Sequence, residues 1–397
     1  DILNGTTGRE YGYLNDDSIL ERTVKPAVDG YTVVSTIDAN VQSITEKYLN
    51  KFMEDYKDNY TEGAGADNVA CIMMEVDTGN VLAMASAPGF DLNNPKDISA
   101  LYTPEQIAQM EADGTIYDAY NQLWRNYCIS DTYEPGSTIK PFTVASAIDC
   151  GAITGNEVYL CTGKREIGGW PIGCHNTFGD GELTVKQAVE KSCNVALMYI
   201  AEAAGKNNFC DYQHSFNFGL KTNIDLAGEA RTVALIYTAD NMGPTELATC
   251  SFGQGFNVTM IQMITGFCSL LNGGNYYEPH MVSRIVSQDG STVQTIEPRV
   301  LKQTISPSVS DTIIDYCNGV VTEGTGTTAR PAGYAIGGKT GTAETQPRDN
   351  NEYVVSFMGY APADDPQIAI YVVVDRPNVK DQDNAKFATR LVRSILT

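Results

Sequence analysis

Long hydrophobic runs are missing from this sequence of 397 residues. A membrane-spanning helix needs about 18 or more consecutive apolar residues, and the chain offers only short runs such as residues 368–374. A basic segment followed by an apolar one, as in a secretory leader, is also missing at the start. We therefore expect no transmembrane helix in the residues printed.

Histidine is scarce, with three residues, and none of the ten cysteines forms a C-x-x-C pair. The closely spaced ligand pairs that are typical of zinc sites are therefore absent, and we expect no metal site. Several cysteines, such as Cys71 and Cys268, lie in apolar runs and are predicted to be small buried side chains. The number of cysteines does not by itself indicate the redox compartment.

Positive charge is in short supply. The chain has 27 Lys and Arg against 49 Asp and Glu, and its net charge is −22. Nucleic acids and anionic membranes are bound by basic patches, so we expect neither as a partner. Apolar residues make up 42% of the chain, which predicts a folded protein rather than a disordered one.

Strand patterns occur at both ends of the chain, and helical patterns fill the middle. Residues 69–76 and 81–85 flank Asp77-Thr78-Gly79-Asn80 and predict a hairpin. Residues 334–344, 353–359 and 367–375 predict three further strands, the last two antiparallel. A sheet that joins these strands, with helices packed on it, is an α+β fold.

Residues that mark the first turn of a helix, and the apolar faces of the helices, can be identified in the sequence. Asp38 can cap a helix over residues 41–56, and residues 387–395 predict a C-terminal amphipathic helix. Thr184 with Gln187, and Thr259 with Gln262, form T-x-x-Q capping boxes. The helix after Thr259 is apolar on nearly all sides, so we expect it to be buried.

Ser137 and Lys140 lie where a helix is predicted to begin. Pro135-Gly136 marks a turn, and the apolar residues 142–148 predict the helix after it. A spacing of three places Ser137 and Lys140 on one face. A desolvated lysine near a second cation loses its proton easily and can then activate a serine hydroxyl. S-x-x-K alone occurs by chance about once in a chain of this size, so a capped helix with a surface lysine is the alternative.

Ser192-Cys193-Asn194 follows the helix that Thr184 is predicted to cap. The hydroxyl can relay a proton to a leaving amine, and the amide can hold a substrate carbonyl or a lysine. Ser215-Phe216-Asn217 matches the same S-x-N pattern. It lies in a polar stretch predicted as a loop, so the first copy is the preferred candidate.

Lys339-Thr340-Gly341-Thr342 follows two glycines within a predicted strand. Glycine and threonine around one lysine favour a strand edge that another backbone approaches closely. The lysine and threonine can bind a carboxylate, and a backbone N–H here can join that of Ser137 in an oxyanion hole. A glycine-rich β-bulge is the alternative.

S-x-x-K, S-x-N and K-T-G in this order are typical of penicillin-binding proteins and serine β-lactamases. Further stretches make the chain similar to class B penicillin-binding proteins, from about residue 31 to the end: Thr36-Ile37-Asp38, residues 77–86, Tyr133-Glu134-Pro135-Gly136-Ser137, Asp225-Leu226-Ala227-Gly228-Glu229, Gly253-Gln254-Gly255 and residues 338–343. The cysteines around the S-x-N motif are most similar to those of sporulation and division members from Firmicutes.

This resemblance implies the penicillin-binding transpeptidase fold over residues 31–397. The expected fold is an antiparallel sheet of N- and C-terminal strands covered by helices, with an all-helical subdomain inserted. Residues 1–30 resemble the remnant of a pedestal or dimerisation region. The resemblance also implies a position on the extracytoplasmic face of the cell membrane, an N-terminal anchor absent from this chain and a glycosyltransferase partner in the membrane.

The implied activity is a serine D,D-transpeptidase that cross-links peptidoglycan stem peptides and is acylated by β-lactam antibiotics, without metal or cofactor. Ser137 would attack the D-Ala–D-Ala bond, Lys140 would act as base, Ser192 would shuttle the proton and Asn194 would orient Lys140. Lys339, Thr340, Gly341 and Thr342 would form the substrate-binding strand, with the backbone of Ser137 and Thr342 as oxyanion hole.

Three other functions compete with this one. A class A β-lactamase needs an E-x-x-L-N segment after S-x-N, whereas Glu229 lies in Gly-Glu-Ala-Arg; a β-lactam sensor is the related alternative. A non-catalytic cell-wall scaffold would not need the S-x-x-K, S-x-N and K-T-G motifs, which are intact in this chain. A Ser-His-Asp hydrolase would need a G-x-S-x-G elbow, and His175, His214 and His280 lie in polar stretches without one.

Three cysteines lie near the predicted cleft. Cys193 is inside the S-x-N motif, and Cys161 and Cys174 precede it in a glycine-rich stretch. Outside the cytoplasm, a Cys174–Cys193 or Cys161–Cys174 disulfide is possible and could gate the site. Free thiols are the alternative.

Overall fold

Strands lie towards both ends of the chain and helices dominate its middle. A computed structural model describes residues 2–14, 16–17, 19–99, 101–348 and 350–397. The strands are β1 (Arg9–Leu14), β2 (Leu20–Lys25), β3 (Thr32–Ser35), β4 (Ala66–Glu75), β5 (Val81–Ala87), β6 (Val158–Cys161), β7 (Lys164–Ile167), β8 (Trp170–Gly173), β9 (Gly181–Thr184), β10 (Asn275–Tyr277), β11 (Val282–Val286), β12 (Thr292–Thr295), β13 (Val300–Gln303), β14 (Gly337–Glu344), β15 (Tyr353–Ala361) and β16 (Ile368–Pro377). The helices are α1 (Ala39–Asp55), α2 (Pro104–Asp113), α3 (Ile116–Leu123), α4 (Tyr127–Ser130), α5 (Lys140–Asp149), α6 (Val185–Glu190), α7 (Asn194–Ser215), α8 (Pro244–Cys250), α9 (Met260–Leu271), α10 (Pro307–Thr322) and α11 (Lys386–Leu396). Short 3-10 turns cover Gly136–Ile139, Val233–Leu235 and Thr327–Ala329.

A five-stranded antiparallel sheet holds the two ends of the chain together. Its strand order is β14-β15-β16-β4-β5, and β16 pairs with β4 from Ile368 opposite Glu75 to Pro377 opposite Ala66. The predicted hairpin and the three predicted C-terminal strands therefore lie in one sheet. This confirms the α+β class and places β14, which carries the K-T-G motif, at the edge of the sheet.

The two faces of the sheet pack against different helices. Side chains alternate across a strand, so Ile370, Val372 and Val374 of β16 pack with α1 and α11 on one face. Tyr371 and Val373 face the opposite way, into a larger core built from the helices of the middle of the chain. The buried strands thereby fix β14 relative to the helices that carry the other motifs.

The helical core contains the predicted capping boxes and the predicted buried helix. In both boxes the threonine oxygen accepts from the glutamine N–H and the glutamine side chain bonds back to the threonine N–H. Every residue of α9 is buried, as its all-round apolar sequence predicts. Within the described ranges, no helix is long and apolar enough to cross a membrane.

The N-terminal part lies outside the main sheet. β1 and β2 form an antiparallel hairpin that is exposed along both strands, and β3 is the edge of a separate sheet, β12-β11-β3. Asp38 then caps α1, since its carboxylate accepts from the N–H groups of Asn40 and Val41, as predicted. That residues 1–30 are the remnant of a pedestal remains a prediction.

The segment between the two halves of the sheet is not all-helical, and this part of the expectation was wrong. β6 pairs with β9, and β7 pairs with β8, in two small antiparallel ribbons before α6. Glycines with positive φ at 163, 168, 169, 179 and 181 cause this difference. A positive φ is incompatible with a right-handed helix and suits tight turns between short strands.

Candidate active site

Ser137 lies in a turn that leads directly into a buried helix. The 3-10 turn Gly136–Ile139 continues into α5, whose first turn accommodates Pro141. Gly136 has a φ of +56°, and a Cβ added to it would lie 2.4 Å from the carbonyl oxygen of Thr342. Only glycine fits there, so the chain just before Ser137 is pressed against β14. As predicted, Ser137 stands where a helix begins.

Lys140, three residues after Ser137, is fully buried, which excludes the alternative of a surface lysine. Its Nζ donates to Oδ1 of Asn194 at 2.7 Å, to Oγ of Ser192 at 3.1 Å and to the carbonyl oxygen of Ser192. Burial lowers the pKa of Lys140 to about 8, although nearby cysteine thiols act in the opposite direction. Lys140 is thus a lysine that can become neutral near physiological pH.

Ser192 occupies the link between α6 and α7 and is 7% exposed. Its φ of +58° is unusual for a residue with a side chain. Its Oγ accepts from Nζ of Lys339 at 2.9 Å in addition to Lys140. The hydroxyl of the S-x-N motif therefore bridges the lysines of the other two motifs.

Asn194 is the first residue of α7 and uses both ends of its amide. Oδ1 accepts from Lys140, and Nδ2 donates to the carbonyl oxygen of Gly173 at 3.1 Å. This second bond fixes the orientation of the amide, so that its oxygen faces Lys140. The predicted role of holding the lysine is supported by this geometry.

Lys339 lies fully buried on β14. Besides Ser192, its Nζ donates to the carbonyl oxygen of Thr340 at 3.1 Å and to Oγ1 of Thr340 at 3.4 Å. Burial, and then the charge of Lys140, lower its pKa well below the ordinary value for lysine. A carboxylate bound beside it would offset that desolvation and restore the charge.

The other two residues of the K-T-G motif, Thr340 and Gly341, lie close to neighbouring segments of the chain. A Cβ at Gly341 would lie 2.3 Å from Oγ of Ser356 on β15, which requires glycine. Oγ1 of Thr340 lies 2.7 Å from Oγ1 of Thr325. The sequence prediction missed Thr325; the only signal is its place in a run of glycine and threonine before the motif.

The motif residues meet in one cleft of about 640 Å³. Its lining includes Ser137, Ser192, Asn194, Thr340, Thr342, Gly173, Cys174 and His175. Lys140 and Lys339 lie beneath this lining. A larger depression of about 780 Å³ between residues 60–67 and 376–383 is lined by none of the motif residues and therefore offers no comparable chemistry.

The turn before Ser137 is held by an ion pair that the sequence did not reveal. The carboxylate of Glu134 lies 2.6 Å from Nη2 of Arg348 and accepts from the N–H of Gly255 at 3.0 Å. These contacts tie the turn to the chain that follows β14. The partners are far apart in sequence, so no local pattern could have paired them.

The second S-x-N copy lies outside this cleft lining. Ser215 is the last residue of α7, and Asn217 is buried and accepts from Nζ of Lys302 at 2.7 Å. Phe216 and Asn217 follow α7 in a turn, but this turn is not an exposed polar loop, because Phe216 packs against Phe142 in the core with ring centroids 5.0 Å apart. The preference for the first copy agrees with the structure.

Two residues that the competing functions could use have other partners: Glu229 for a β-lactamase and His175 for a Ser-His-Asp hydrolase. Glu229 accepts from the backbone and the hydroxyl of Thr222 and from the N–H of Asn223, so its carboxylate is engaged in a loop. His175 lines the cleft, but its Nδ1 lies beside Sγ of Cys174 at 3.6 Å. Within the described residues, no hydrogen bond joins a histidine to Ser137.

The predicted cysteines do come together. Sγ of Cys174 lies 3.9 Å from Sγ of Cys193, with Cys161 in the same cluster. All ten cysteines are free thiols in the structure. A disulfide among the three stays a prediction.

Residues 69–397 match the family model of the penicillin-binding protein transpeptidase domain. The chain therefore belongs to this family, and its resemblance to class B penicillin-binding proteins, inferred from the motifs, is confirmed. Stage V sporulation protein D of Bacillus subtilis (strain 168) is 34% identical over 377 residues, which cover 94% of this chain and 54% of that protein. A protein named probable peptidoglycan D,D-transpeptidase PenA, from Neisseria meningitidis, is 28% identical over 388 residues, covering 95% of this chain and 59% of the relative.

Solved structures show the same fold. Penicillin-binding protein 3 of Mycobacterium tuberculosis in its apo form has a TM-score of 0.76 at 27% identity, covering 93% of this chain and 79% of that one. A D,D-transpeptidase domain from Eggerthella lenta also has a TM-score of 0.76, at 24% identity, covering 98% of this chain and 94% of that one. This chain spans little more than half the length of the curated relatives it matches.

Proposed function

We propose that this domain is a serine D,D-transpeptidase that cross-links peptidoglycan stem peptides. The observation that carries the proposal is the position of Ser192, whose Oγ accepts from both Lys140 and Lys339 below a cleft lined by Ser137. A nucleophile, a base of lowered pKa and a hydroxyl relay are the groups that acyl transfer needs.

Acylation begins with proton transfer. Neutral Lys140 takes the proton of the Ser137 hydroxyl, and Oγ attacks the carbonyl carbon of the D-Ala–D-Ala peptide bond. When the C–N bond breaks, the ammonium of Lys140 returns the proton through Ser192 to the leaving amine. Terminal D-Ala departs, and an ester remains on Ser137. The bond from Lys140 to Oγ of Ser192 provides the first part of this proton path.

Substrate orientation comes from β14. Lys339, with the hydroxyl of Thr340, binds the terminal carboxylate, which is the charge complement of a buried ammonium. The N–H groups of Ser137 and Thr342 stabilise the oxyanion, and Gly341 lets the substrate backbone lie against the strand edge. An amine of a neighbouring stem peptide then attacks the ester carbon, the C–O bond to Ser137 breaks, and Lys140 passes the proton of the amine to the departing Oγ.

The cellular setting follows from this chemistry and from the names of the relatives. We place the domain on the extracytoplasmic face of the cell membrane, held by an N-terminal segment outside this chain and working with a glycosyltransferase that supplies the strands. Residues 1–30 would be the end of a pedestal that precedes the catalytic domain. The similarity to a sporulation protein supports a role in sporulation or division.

β-Lactam antibiotics should acylate Ser137, because they present a reactive carbonyl and a carboxylate in a similar arrangement. A β-lactamase would in addition need a base that activates water for deacylation. Glu229 already accepts hydrogen bonds from Thr222 and Asn223. The acyl-enzyme should therefore persist.

The test is turnover of a synthetic stem peptide that ends in D-Ala–D-Ala, with a D-amino acid as acceptor. We expect release of D-Ala and formation of the exchanged peptide, both lost in Ser137→Ala and retained in Ser215→Ala, which alters the second S-x-N copy. Exchange by Ser137→Ala at the wild-type rate would refute the proposal. Steady hydrolysis of a chromogenic cephalosporin would favour a β-lactamase instead.

A further inference from the structure

Four potential metal ligands converge next to the S-x-N motif. Cys161 ends β6, Cys174 follows β8, Asp180 precedes β9 and Cys193 caps α7. Their ligand atoms, three sulfurs and one carboxylate oxygen, all lie within 4.8 Å of one another. No step of the proposed transpeptidation uses these side chains.

The distances suit one tetrahedral ion. Zinc–sulfur bonds of about 2.3 Å in a tetrahedron place the two sulfurs about 3.8 Å apart, and Sγ of Cys174 and Cys193 are 3.9 Å apart. A disulfide needs a separation of about 2.05 Å. It would also use only two of the three thiols and leave Asp180 without a role.

Asp180 supplies a second, independent indication. Its Oδ1 accepts from Nδ2 of Asn176 at 2.8 Å, while its Oδ2 is buried and has no hydrogen-bond partner among the described residues. A buried carboxylate oxygen without a partner is costly. Beside three thiols, a cation is the partner that removes this cost.

Backbone N–H groups donate to two sulfurs of the cluster. Sγ of Cys174 accepts from the N–H of Asn194, and Sγ of Cys193 accepts from the N–H of Ala196, both at 3.4 Å. Such outer bonds orient ligands in protein metal sites.

Two glycines draw the loops together. A Cβ at Gly163 would lie 2.1 Å from the carbonyl oxygen of Thr177, and one at Gly179 would lie 2.4 Å from that of Cys161. The N–H of Cys174 donates to the carbonyl oxygen of Gly163 at 2.8 Å. The ligand-bearing turns are therefore held in place by backbone contacts, as in a preformed site.

We propose that Cys161, Cys174, Cys193 and Asp180 bind one zinc ion. Thiolates select soft or borderline ions, and four closed tetrahedral ligands are typical of structural zinc. The sequence predicted no metal because it contains no C-x-x-C pair. Here each ligand comes from a different strand end or helix cap, so the pairing exists only in the fold.

The zinc ion would affect catalysis by holding the S-x-N motif in position. Cys193 lies between Ser192 and Asn194, and Gly173, which accepts from Asn194, precedes the ligand Cys174. Zinc would thus hold both sides of the S-x-N motif in place for Lys140. These four ligands are positioning residues, and they do not touch the reacting atoms.

The test is metal content of the purified chain by elemental mass spectrometry, after expression with added zinc and a reducing agent. We expect one zinc per chain in wild type and in Cys150→Ser, a control that alters a partly buried cysteine outside the cluster. Cys161→Ser and Asp180→Asn should bind zinc at least about tenfold more weakly. Cobalt substituted into wild type should give sulfur-to-metal charge-transfer absorption and intense tetrahedral visible bands, both lost in Cys161→Ser.

Three results would overturn the zinc site. They are substoichiometric zinc in folded wild type, a mass lower by two hydrogens that marks a disulfide among these cysteines, or equal loss of zinc from Cys150→Ser. If the variants do not fold, the cobalt spectrum of the wild type tests the site by itself. The charge-transfer and tetrahedral bands would support it, and their absence would refute it. Metal content is measured without any reaction at Ser137, so failure here is distinguishable from failure of the proposed transpeptidase.

Discussion

Lys140 and Lys339 donate hydrogen bonds to the same atom, Oγ of Ser192, over 3.1 and 2.9 Å. Both lysines are fully buried, and two ammonium groups this close disfavour each other's charge. In the proposed reaction, a substrate carboxylate bound to Lys339 would restore its charge, and that charge would drive Lys140 towards the neutral form. Substrate binding and activation of the base would thereby be coupled.

Replacement of Ser192 by alanine tests this relay. Ser192→Ala removes the common acceptor and the proton path to the leaving group, so the rate constant for acylation by a fluorescent penicillin should fall about a hundredfold or more. Ser215→Ala should react at the wild-type rate. Equal rates for Ser192→Ala and wild type, with both proteins folded by circular dichroism, would show that the relay is not needed.

The rate of acylation should depend on pH through Lys140. Its pKa is about 8 because burial disfavours the charge, and only the neutral amine accepts a proton. The rate should therefore rise with pH up to about 8 and then level off. The thiols of Cys174, Cys193 and Cys161 act against burial and shift this midpoint up.

A variant that cannot lose its proton provides the control for the pH profile. Lys140→Arg stays protonated at any accessible pH, so its acylation should fall by about 10²–10⁴-fold and lose the rise near pH 8. Lys186→Arg, on an exposed side chain paired with Asp315, should keep the wild-type profile. A profile that is flat from pH 6 to 9 in the wild type would contradict the role of Lys140 as base.

Gly136 tests the contact between the nucleophile turn and β14. Gly136→Ala places a Cβ 2.4 Å from the carbonyl oxygen of Thr342 at a φ of +56°. Gly151 has a φ of +74° with nothing within 4 Å of an added Cβ, so Gly151→Ala should lose only about 1–2 kcal/mol of unfolding free energy. Urea unfolding and penicillin labelling should show a larger loss of stability for Gly136→Ala, together with slower labelling that Gly151→Ala does not share.

Equal behaviour of the two alanine variants in both measurements would mean that the backbone of Thr342 yields to the new Cβ. The closeness of β14 to the turn before Ser137 would then not be required for the reaction.

The elements that carry local signals could be predicted from the sequence. Asp38, Thr184 and Thr259 mark helix starts through side-chain bonds to residues two or three positions away. The strands of the main sheet are marked by apolar runs and turns. The serines and lysines that we propose as catalytic could be predicted because the spacing within each motif is itself a local pattern.

Features made by distant residues could not be predicted in the same way. The ion pair of Glu134 and Arg348, the contact of Thr325 with Thr340, and the cluster of Cys161 with Cys193 each join separate parts of the chain. The ribbons formed by β6 with β9 and by β7 with β8 could not be predicted. Each of these strands has only four residues, which is too short for a clear alternation of apolar and polar side chains. The cluster of Cys161, Cys174, Asp180 and Cys193 depends on those ribbons, so it could not be predicted without them.

The central claim is that Ser137 is the nucleophile of an acyl-enzyme. Intact-mass spectrometry after incubation with benzylpenicillin tests it most directly, by comparing wild type, Ser137→Ala and Ser215→Ala. The account predicts one covalent penicilloyl group on wild type and on Ser215→Ala, and none on Ser137→Ala. An adduct that persists on Ser137→Ala, or no adduct on the wild type, would contradict it.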